Sequence, residues 1–176
     1  ELEPIKEELI RLGVGIQIEE GQINDSLYRQ SEFDAAFVAD VRKAKRFVSI
    51  FSAFITTRRV GIYADLFRSK IAEGVQIRCV TRPPSQNGPD YMQRDGKEAL
   101  ELLQAIGCVV DIRSNIHEKV IVIDDKIIWF GSLNPLSFTE RTDEIMMRLE
   151  GEATALEVER FLSIERIRDA ESARGV

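Results

Sequence analysis

The sequence predicts one α/β domain built around a mixed β-sheet. Apolar, strand-like runs occupy residues 46–52 and 75–81, and between them apolar residues recur at helical spacing until Gly74. A strand, a helix and a strand in this order predict a right-handed crossover between parallel strands. Two apolar runs at residues 119–123 and 127–130 flank a short polar break, which predicts an antiparallel hairpin. The predicted sheet is therefore mixed.

Composition fits a globular protein of one domain. The chain has 176 residues, of which 44% are hydrophobic, enough for a sizeable core. Its net charge of -6 argues against a uniformly basic nucleic-acid binder, although a local cationic cleft is compatible with it. No apolar run is long enough to cross a bilayer and the first residues lack a signal-peptide pattern, so we expect a cytoplasmic protein with no membrane partner. Cys79 and Cys108 lie in apolar stretches without metal-ligand spacing, which predicts buried free thiols.

The chain divides into three predicted segments. Residues 1–30 form an accessory lead-in, residues 31–170 the main domain, and residues 171–176 a frayed tail. The first residue is Glu rather than Met, which suggests a processed product or a piece of a longer protein.

Capping residues and glycines delimit the predicted elements of the main domain. Ser31 and either Thr56 or Thr57 are candidate N-caps, and Gly74 and Gly107 end helical patterns. Besides the four strands named above, the predicted elements are helices over residues 31–44, 57–73, 98–106 and around 158–162, and strands over residues 108–112 and 144–149.

Residues 82–96 are rich in Pro, Gly and Asn and are predicted to be the longest loop. Loops of this length in compact domains are usually either functional or mobile. In the functional interpretation Arg82 and Arg94 contact phosphates and Tyr91 stacks on a base. In the alternative the segment is an ordinary surface loop, and the sequence leaves both open.

The predicted hairpin brings together side chains that suit phosphoryl chemistry. His117 and Lys119 share one face of a strand, and a tight turn returns Ser132 and Asn134 to their side. A neutral imidazole can attack phosphorus or return a proton, and the other three groups can bind phosphate oxygens, so this scheme needs no metal. Trp129 and its neighbour Phe130 are predicted to pack in the core.

These residues carry a resemblance to a known family. They follow the pattern His-x-Lys-x-x-x-x-Asp and then Gly-Ser-x-Asn, as His117, Lys119, Asp124, Gly131, Ser132 and Asn134. This pattern resembles the signature of the phospholipase D superfamily. The resemblance implies a mixed β-sheet flanked by helices on both faces, in α-β-α layers, with residues 31–170 as the catalytic domain. It also implies a covalent phosphohistidine, a second histidine as general acid, and no metal or other cofactor.

Two acidic positions complete the expected site. The superfamily pattern usually continues with a carboxylate that orients the histidine, and Glu144 matches it best, with Asp143 as the competitor. Asp124 begins the predicted turn, where Asp is favoured because its side chain can hydrogen-bond its own backbone. We therefore expect Asp124 to be structural and Glu144 to fix the tautomer of His117.

The chain contains one His and one copy of the motif. One chain therefore cannot supply both the nucleophile and the general acid. We expect a homodimer in which two copies of His117 face each other across a shared active site at the two-fold interface. Single-motif nucleases of the superfamily are built in this way.

The sequence thus favours a metal-independent phosphodiesterase, most plausibly a nuclease that cleaves DNA or RNA. One alternative is a phospholipase or phosphatidyltransferase, although the chain shows no anchor or basic amphipathic helix. The other is a non-catalytic nucleic-acid-binding or dimerisation module of a longer helicase-like protein, since superfamily members occur as terminal domains of helicase-like ATPases. The preference for nucleic acid rests partly on analogy.

Overall fold

The computed structural model describes residues 26–137 and 143–172, with side chains to residue 162. Its strands are β1 (Ser26–Arg29), β2 (Phe47–Ser52), β3 (Gln76–Thr81), β4 (Val109–Ile112), β5 (Lys119–Ile123), β6 (Ile127–Gly131) and β7 (Ile145–Glu150). Its α-helices are α1 (Gln30–Lys43), α2 (Thr57–Ala72), α3 (Asp90–Ile106) and α4 (Glu152–Ser172), and a short 3₁₀ turn covers Pro84–Gln86.

All seven strands form one mixed sheet in the order β1-β7-β6-β5-β2-β3-β4. Strands β2, β3 and β4 are parallel to one another, and the remaining pairs are antiparallel. The crossover from β2 through α2 to β3 and the hairpin of β5 and β6 are both present. The predicted α/β fold is confirmed.

Helices cover both faces of the sheet because alternate residues of each strand point to opposite sides. On one face α1, α2 and α3 pack against apolar residues such as Ile121 and Trp129. On the other face α4 packs against Val122 and Ile128 through Ala155. The result is the expected order of layers, helix, sheet and helix.

Trp129 anchors the larger core as predicted. Its side chain is fully buried against the rings of Tyr28 and Phe33, and its indole N–H donates to Asp40 Oδ2 at 2.9 Å. The same carboxylate accepts from Arg148 at 2.7 and 3.1 Å. A buried charge needs such partners because an unpaired one costs several kcal/mol.

The prediction that Phe130 packs in the core is wrong. Its side chain is 39% exposed. Phe130 points to the same face as Ile128, two residues earlier in β6, but Ile128 belongs to the cluster with Ala155 of α4 and Phe130 does not. The end of β6 beyond Ile128 is therefore open on this side.

The prediction of a loop over residues 82–96 is also wrong for the second part of that segment. Helix α3 already begins at Asp90, so Tyr91 and Arg94 lie on a helix. Gly96 weakens the helical pattern in the sequence, yet it is buried in α3. A Cβ there would lie 2.6 Å from Nδ2 of Asn87, so the missing side chain lets the turn before α3 pack closely on the helix.

Asp124 closes the β5–β6 hairpin and ties it to β2. Asp124 and Asp125 have φ of 53° and 54°, the left-handed conformation that two-residue hairpin turns require and that Asp tolerates. The prediction that Asp124 bonds its own backbone is not what the structure shows. Its carboxylate accepts from the backbone N–H groups of Lys45, Arg46 and Phe47 at 2.6, 2.8 and 2.9 Å.

The structure describes only part of the predicted lead-in and tail. Residues 1–25 and 173–176 lie outside the described residues, and so do most of the lead-in and of the tail. The last residues of the lead-in form β1, which pairs with β7.

Cys79 and Cys108 are buried and free, as predicted. Within residues 26–137 and 143–172, none of the helices has the length and apolar character needed to span a membrane.

Candidate active site

The candidate site lies where β2 ends and β5 begins. These strands are antiparallel, and Ser52 at the end of β2 pairs with Lys119 at the start of β5. The parallel strand β3 ends at the same edge of the sheet, immediately before Arg82. The ends of three strands therefore bring residues that are far apart in sequence to one edge.

His117 and Lys119 are in contact, as predicted, although β5 begins at Lys119 and His117 lies before the strand. Nζ of Lys119 lies 3.4 Å from Nδ1 of His117 and donates to its backbone oxygen at 2.9 Å. The imidazole is exposed, whereas Lys119 is half-buried. The Glu118 carboxylate accepts from the backbone N–H of His117 at 2.7 Å. An exposed ring held beside an ammonium can reach a ligand.

Burial lowers the pKa of Lys119. The charges of Glu144 and Glu118 oppose this effect, and the charge of Arg82 adds to it. Lys119 therefore lies between acidic and basic neighbours within electrostatic reach. A phosphate beside its amine would offset the same desolvation.

Gly131 and Ser132 tie the end of β6 to β7. The Ser132 N–H donates to the Ile145 oxygen at 3.0 Å, and its hydroxyl accepts from the Ile145 N–H at 3.2 Å. A Cβ on Gly131 would lie 2.9 Å from Cα of Met146 and would also collide with the Ile145 carbonyl. Only glycine allows this approach. The Ser132 hydroxyl keeps its own hydrogen available for another acceptor.

Asn134 carries a buried polar atom, its Oδ1, that has no hydrogen-bond partner among the described residues. The residues after it are fixed from several sides: the Leu136 N–H donates to Ser52 Oγ at 3.3 Å, and the Leu136 oxygen accepts from the Thr56 N–H at 2.8 Å. Arg59 donates to the Pro135 oxygen at 3.2 Å. The backbone around Asn134 is thus held in place, while the described residues leave its side-chain oxygen without a donor.

A pocket of 440 Å³ adjoins this amide. Its lining residues come from the end of β2, from the start of α3 and from the segments around β6 and β7: Phe54, Ile55, Thr56, Asn87, Tyr91, Met92, Asp95, Asn134, Ser137 and Glu144. Tyr91 and Glu144, both expected at the site, therefore lie at the same pocket as Asn134. Its walls combine aromatic rings with polar groups, as ligand sites usually do.

Glu144 is half-buried, and its neighbour Asp143 is exposed. The charge of Glu144 raises the pKa of Lys119, so the carboxylate faces the cationic side of the site. Within the described residues no hydrogen bond joins Glu144 to His117. The role expected for Glu144, orientation of the imidazole, stays a prediction.

The two arginines expected at the site are in different places. Arg82 stacks on the ring of Phe54 at 3.5 Å and donates from Nε to Asn87 at 3.1 Å. Arg94 instead lines a separate, open pocket of 740 Å³ with Lys97. Phe54 and Asn87 were not expected from the sequence, because no motif or periodicity marks them.

Within the described residues no group of three or more His, Cys, Asp or Glu side chains has the geometry to hold a metal ion.

Known proteins resemble this chain in sequence family and in fold. A protein-family model described as cardiolipin synthase, PLD-like domain, matches residues 37–164, more than half of the chain. No curated protein sequence matches the chain.

Solved structures with the same fold are similar to the chain at low sequence identity. Nuc from Salmonella typhimurium, a phospholipase D family member, has a TM-score of 0.63 and 18% identity, over 84% of this chain and 94% of its own. NucT from Helicobacter pylori has a TM-score of 0.64 and 19% identity, over 84% and 98%. TrmBL2, an archaeal chromatin protein with a novel mode of DNA binding, has a TM-score of 0.56 and 12% identity, over 94% of this chain and 60% of its own.

Proposed function

Since this chain belongs to the phospholipase D superfamily, we propose that it is a metal-independent nuclease that works through a covalent phosphohistidine. The observation that carries the proposal is the contact of an exposed His117 ring with the Lys119 amine, 3.4 Å away. A nucleophile beside a phosphate-binding cation is the minimum that attack on a phosphodiester requires. Ser132, Asn134 and Glu144 supply the remaining groups.

In the first step a ring nitrogen of His117 attacks phosphorus, and the bond from phosphorus to the leaving oxygen breaks. Lys119, Ser132 and Asn134 hold the non-bridging oxygens as charge builds on them. The leaving oxygen takes a proton from the imidazolium of a second copy of His117. Glu144 keeps the attacking ring in the reactive tautomer and stabilises its positive charge.

In the second step water attacks the phosphohistidine and its proton passes to the second imidazole, now neutral. The bond from phosphorus to nitrogen breaks, which frees His117 and a phosphomonoester. The described part of the chain contains one His, so the proton donor comes from a second subunit. The exposure of His117 supports this arrangement because a ring shared across an interface must be accessible from outside its own chain.

Nucleic acid is the substrate that the surroundings of the site support best. Tyr91 is 66% exposed at the rim of the pocket that also contains Asn134 and Glu144. An exposed aromatic ring beside a phosphate site can stack on a base of a single strand. TrmBL2, which shares the fold, is described as DNA-binding.

A cleavage assay tests the proposal. The protein is incubated in excess chelator with single-stranded DNA, duplex DNA, single-stranded RNA or phosphatidyl lipid vesicles, in parallel with a His117→Asn variant. We expect chelator-resistant cleavage of a nucleic acid that the variant lacks, and an acid-labile phosphoryl adduct on the wild-type protein only. Cleavage that survives His117→Asn, or that requires added metal, would contradict the mechanism.

Transfer or hydrolysis of a lipid phosphodiester is the second candidate, because the matching family model is described as cardiolipin synthase. The chemistry at His117 would be the same with a different leaving group. In the assay above, turnover of phosphatidyl lipid with no turnover of any nucleic acid would select this candidate. Binding of DNA without turnover of any substrate would instead indicate a non-catalytic module.

A further inference from the structure

Arg82 is a half-buried arginine that lacks a carboxylate partner within the described residues. Its polar contact is with the neutral amide of Asn87, and its guanidinium lies on the ring of Phe54. Three other buried or half-buried arginines each pair with an aspartate: Arg59 with Asp34, Arg78 with Asp111, and Arg148 with Asp40. Among these four arginines Arg82 is an exception to the pairing with aspartate.

A shortage of acids does not explain the exception. The chain has 30 acidic and 24 basic residues. Burial lowers the pKa of Arg82, and no acid in the described part of the chain opposes that shift. A cation that is partly desolvated without an opposite charge is unfavourable for folding. The missing charge is therefore one that a ligand can bring.

The contacts of Arg82 fix its guanidinium and leave its outer edge available. Nε donates to Asn87 Oδ1 at 3.1 Å, and the Phe54 ring at 3.5 Å holds the plane of the group. The four N–H groups on the two terminal nitrogens make no hydrogen bond within the described residues. These are the donors with which arginine binds phosphate in a bidentate manner.

Asn87 is in turn held by the helix behind it. It is 4% exposed and packs against Gly96 of α3, where a Cβ would lie 2.6 Å from its Nδ2. Gly96 therefore makes the room in which Asn87 can accept from Arg82. The arginine is positioned by a buried support, unlike a freely moving surface side chain.

The sheet places Arg82 on the same edge as Lys119. In the register of the strands, Lys119 pairs with Ser52, and Thr81, the residue before Arg82, ends β3 on the other side of β2. Two strand spacings separate these backbones, about 10 Å. A long arginine side chain spans much of that distance, and the charge of Arg82 does act on Lys119.

We propose that Arg82 and Lys119 form one anion-binding site, in which Arg82 holds the non-bridging oxygens of the phosphodiester beside the His117 nucleophile. This inference rests on the proposed function and adds a substrate-binding residue to it. The ligand is a phosphodiester oxyanion, and Asn87, with Gly96 behind it, positions the arginine.

Calorimetric titration with inorganic phosphate at low salt tests the site without turnover. Loss of a charge-assisted contact of this kind should weaken phosphate binding about tenfold in Arg82→Gln. Arg82→Lys keeps the charge but loses the planar pair of N–H donors. Its affinity for phosphate should lie between that of Arg82→Gln and that of the wild type. Arg68→Gln is the matched control, because it removes the same charge from an exposed position on α2. Thermal melts and circular dichroism establish that every variant is folded.

Wild-type affinity for phosphate in Arg82→Gln, equal loss in Arg68→Gln, or no phosphate binding by the wild type would overturn the inference. Gly96→Ala provides a second route, since it disturbs Asn87 without removing any charge and should weaken phosphate binding in the same direction. Unchanged binding in Gly96→Ala would remove Asn87 and Gly96 from the site.

Cleavage assays separate this inference from the proposed function. If the wild type binds phosphate through Arg82 but cleaves no nucleic acid, the nuclease proposal fails and the anion site stands. If nucleic acid is cleaved with dependence on His117 while Arg82→Gln leaves KM unchanged, the nuclease proposal stands and the role of Arg82 fails. Arg82→Gln should raise KM, and Arg68→Gln should not.

Discussion

Single polar side chains distinguish the candidate site from the core. In the core, Asp40 is buried and satisfied, since it accepts from Trp129 and Arg148. At the site, Asn134 keeps a buried oxygen without a partner and Arg82 lacks a counter-charge within the described residues. A buried polar group left unpaired costs about 1–3 kcal/mol. Folding alone does not favour such groups, whereas ligand binding can satisfy them.

His117→Ala should abolish turnover with little change in stability. The side chain is exposed, and its backbone contact with Glu118 does not depend on the imidazole. Surface substitutions of this kind usually change the free energy of unfolding by about 0.5 kcal/mol or less. Denaturant titration and the cleavage assay check the two halves of the prediction. A large loss of stability would assign His117 a structural role.

Trp129→Ala, unlike His117→Ala, should lower the free energy of unfolding strongly. It removes a fully buried ring together with its hydrogen bond to Asp40. Large-to-small substitutions of buried aromatic residues cost about 3–5 kcal/mol. The midpoint of urea unfolding measures the loss, and Phe130→Ala is the control because the neighbouring ring is 39% exposed. Equal losses in the two variants would contradict the burial of Trp129 in the core and the exposure of Phe130.

Glu159 should make the free energy of unfolding decrease as pH rises from acid towards neutral. Burial raises the pKa of Glu159, a hydrogen bond that its protonated form donates to the Asp125 carboxylate raises it further, and Arg78 and Arg46 oppose the shift. Because the folded protein holds this proton more tightly than the unfolded chain, the stabilisation is complete below the unfolded pKa, about 4.3. It is lost as pH rises through the higher folded pKa.

Glu159→Gln should therefore raise the melting temperature at neutral pH and converge with the wild type in acid. Melts recorded from acid to neutral pH measure this difference. Glu157→Gln, at an exposed position of the same helix, is the control. A Glu159→Gln variant less stable than the wild type at neutral pH would reverse the sign of the argument.

Among the elements, the β5–β6 hairpin and its turn organise one half of the sheet. The turn uses two aspartates in the left-handed conformation, and Asp124 also ties the start of β2 to the hairpin through three backbone N–H groups. At the opposite end of the hairpin, Gly131 lets β6 approach β7 and delivers Ser132 to the site. One element thus serves the scaffold at its turn and the site at its open end.

Asp124→Asn should destabilise the protein more than Asp125→Asn. An amide has one oxygen, so its NH₂ group would face a backbone N–H that the carboxylate now satisfies. The expected cost is about 1–3 kcal/mol. Asp125 forms an ion pair with the exposed Arg46, and such pairs contribute about 1 kcal/mol or less. Chemical denaturation of both variants measures the difference, and equal costs would contradict the bridging role of Asp124.

For the whole molecule, the proposed function makes activity a property of a pair of subunits, because the sequence has a single His. If nucleophile and general acid are two copies of His117, only pairs with two wild-type subunits are active. When wild type is refolded together with His117→Asn, total activity should then fall as the square of the wild-type fraction. A linear decrease, or a monomer in analytical ultracentrifugation of an active sample, would contradict the shared site.

Local pattern in the sequence determined the sheet, the helical crossover, the hairpin and the common face of His117 and Lys119. These follow from the alternation of side chains and from turn chemistry, which act over a few residues. The family motif predicted the site residues before any contact was known.

Tertiary structure alone decided which surfaces are covered. It leaves Phe130 exposed although Ile128, on the same face of β6, packs against α4. It also begins α3 at Asp90 and sets Arg82 on Phe54 and Asn87. Periodicity predicts which face a residue points to, but burial depends on the neighbour that packs there. That neighbour comes from a distant part of the chain, and so the support of Arg82 has no local signal.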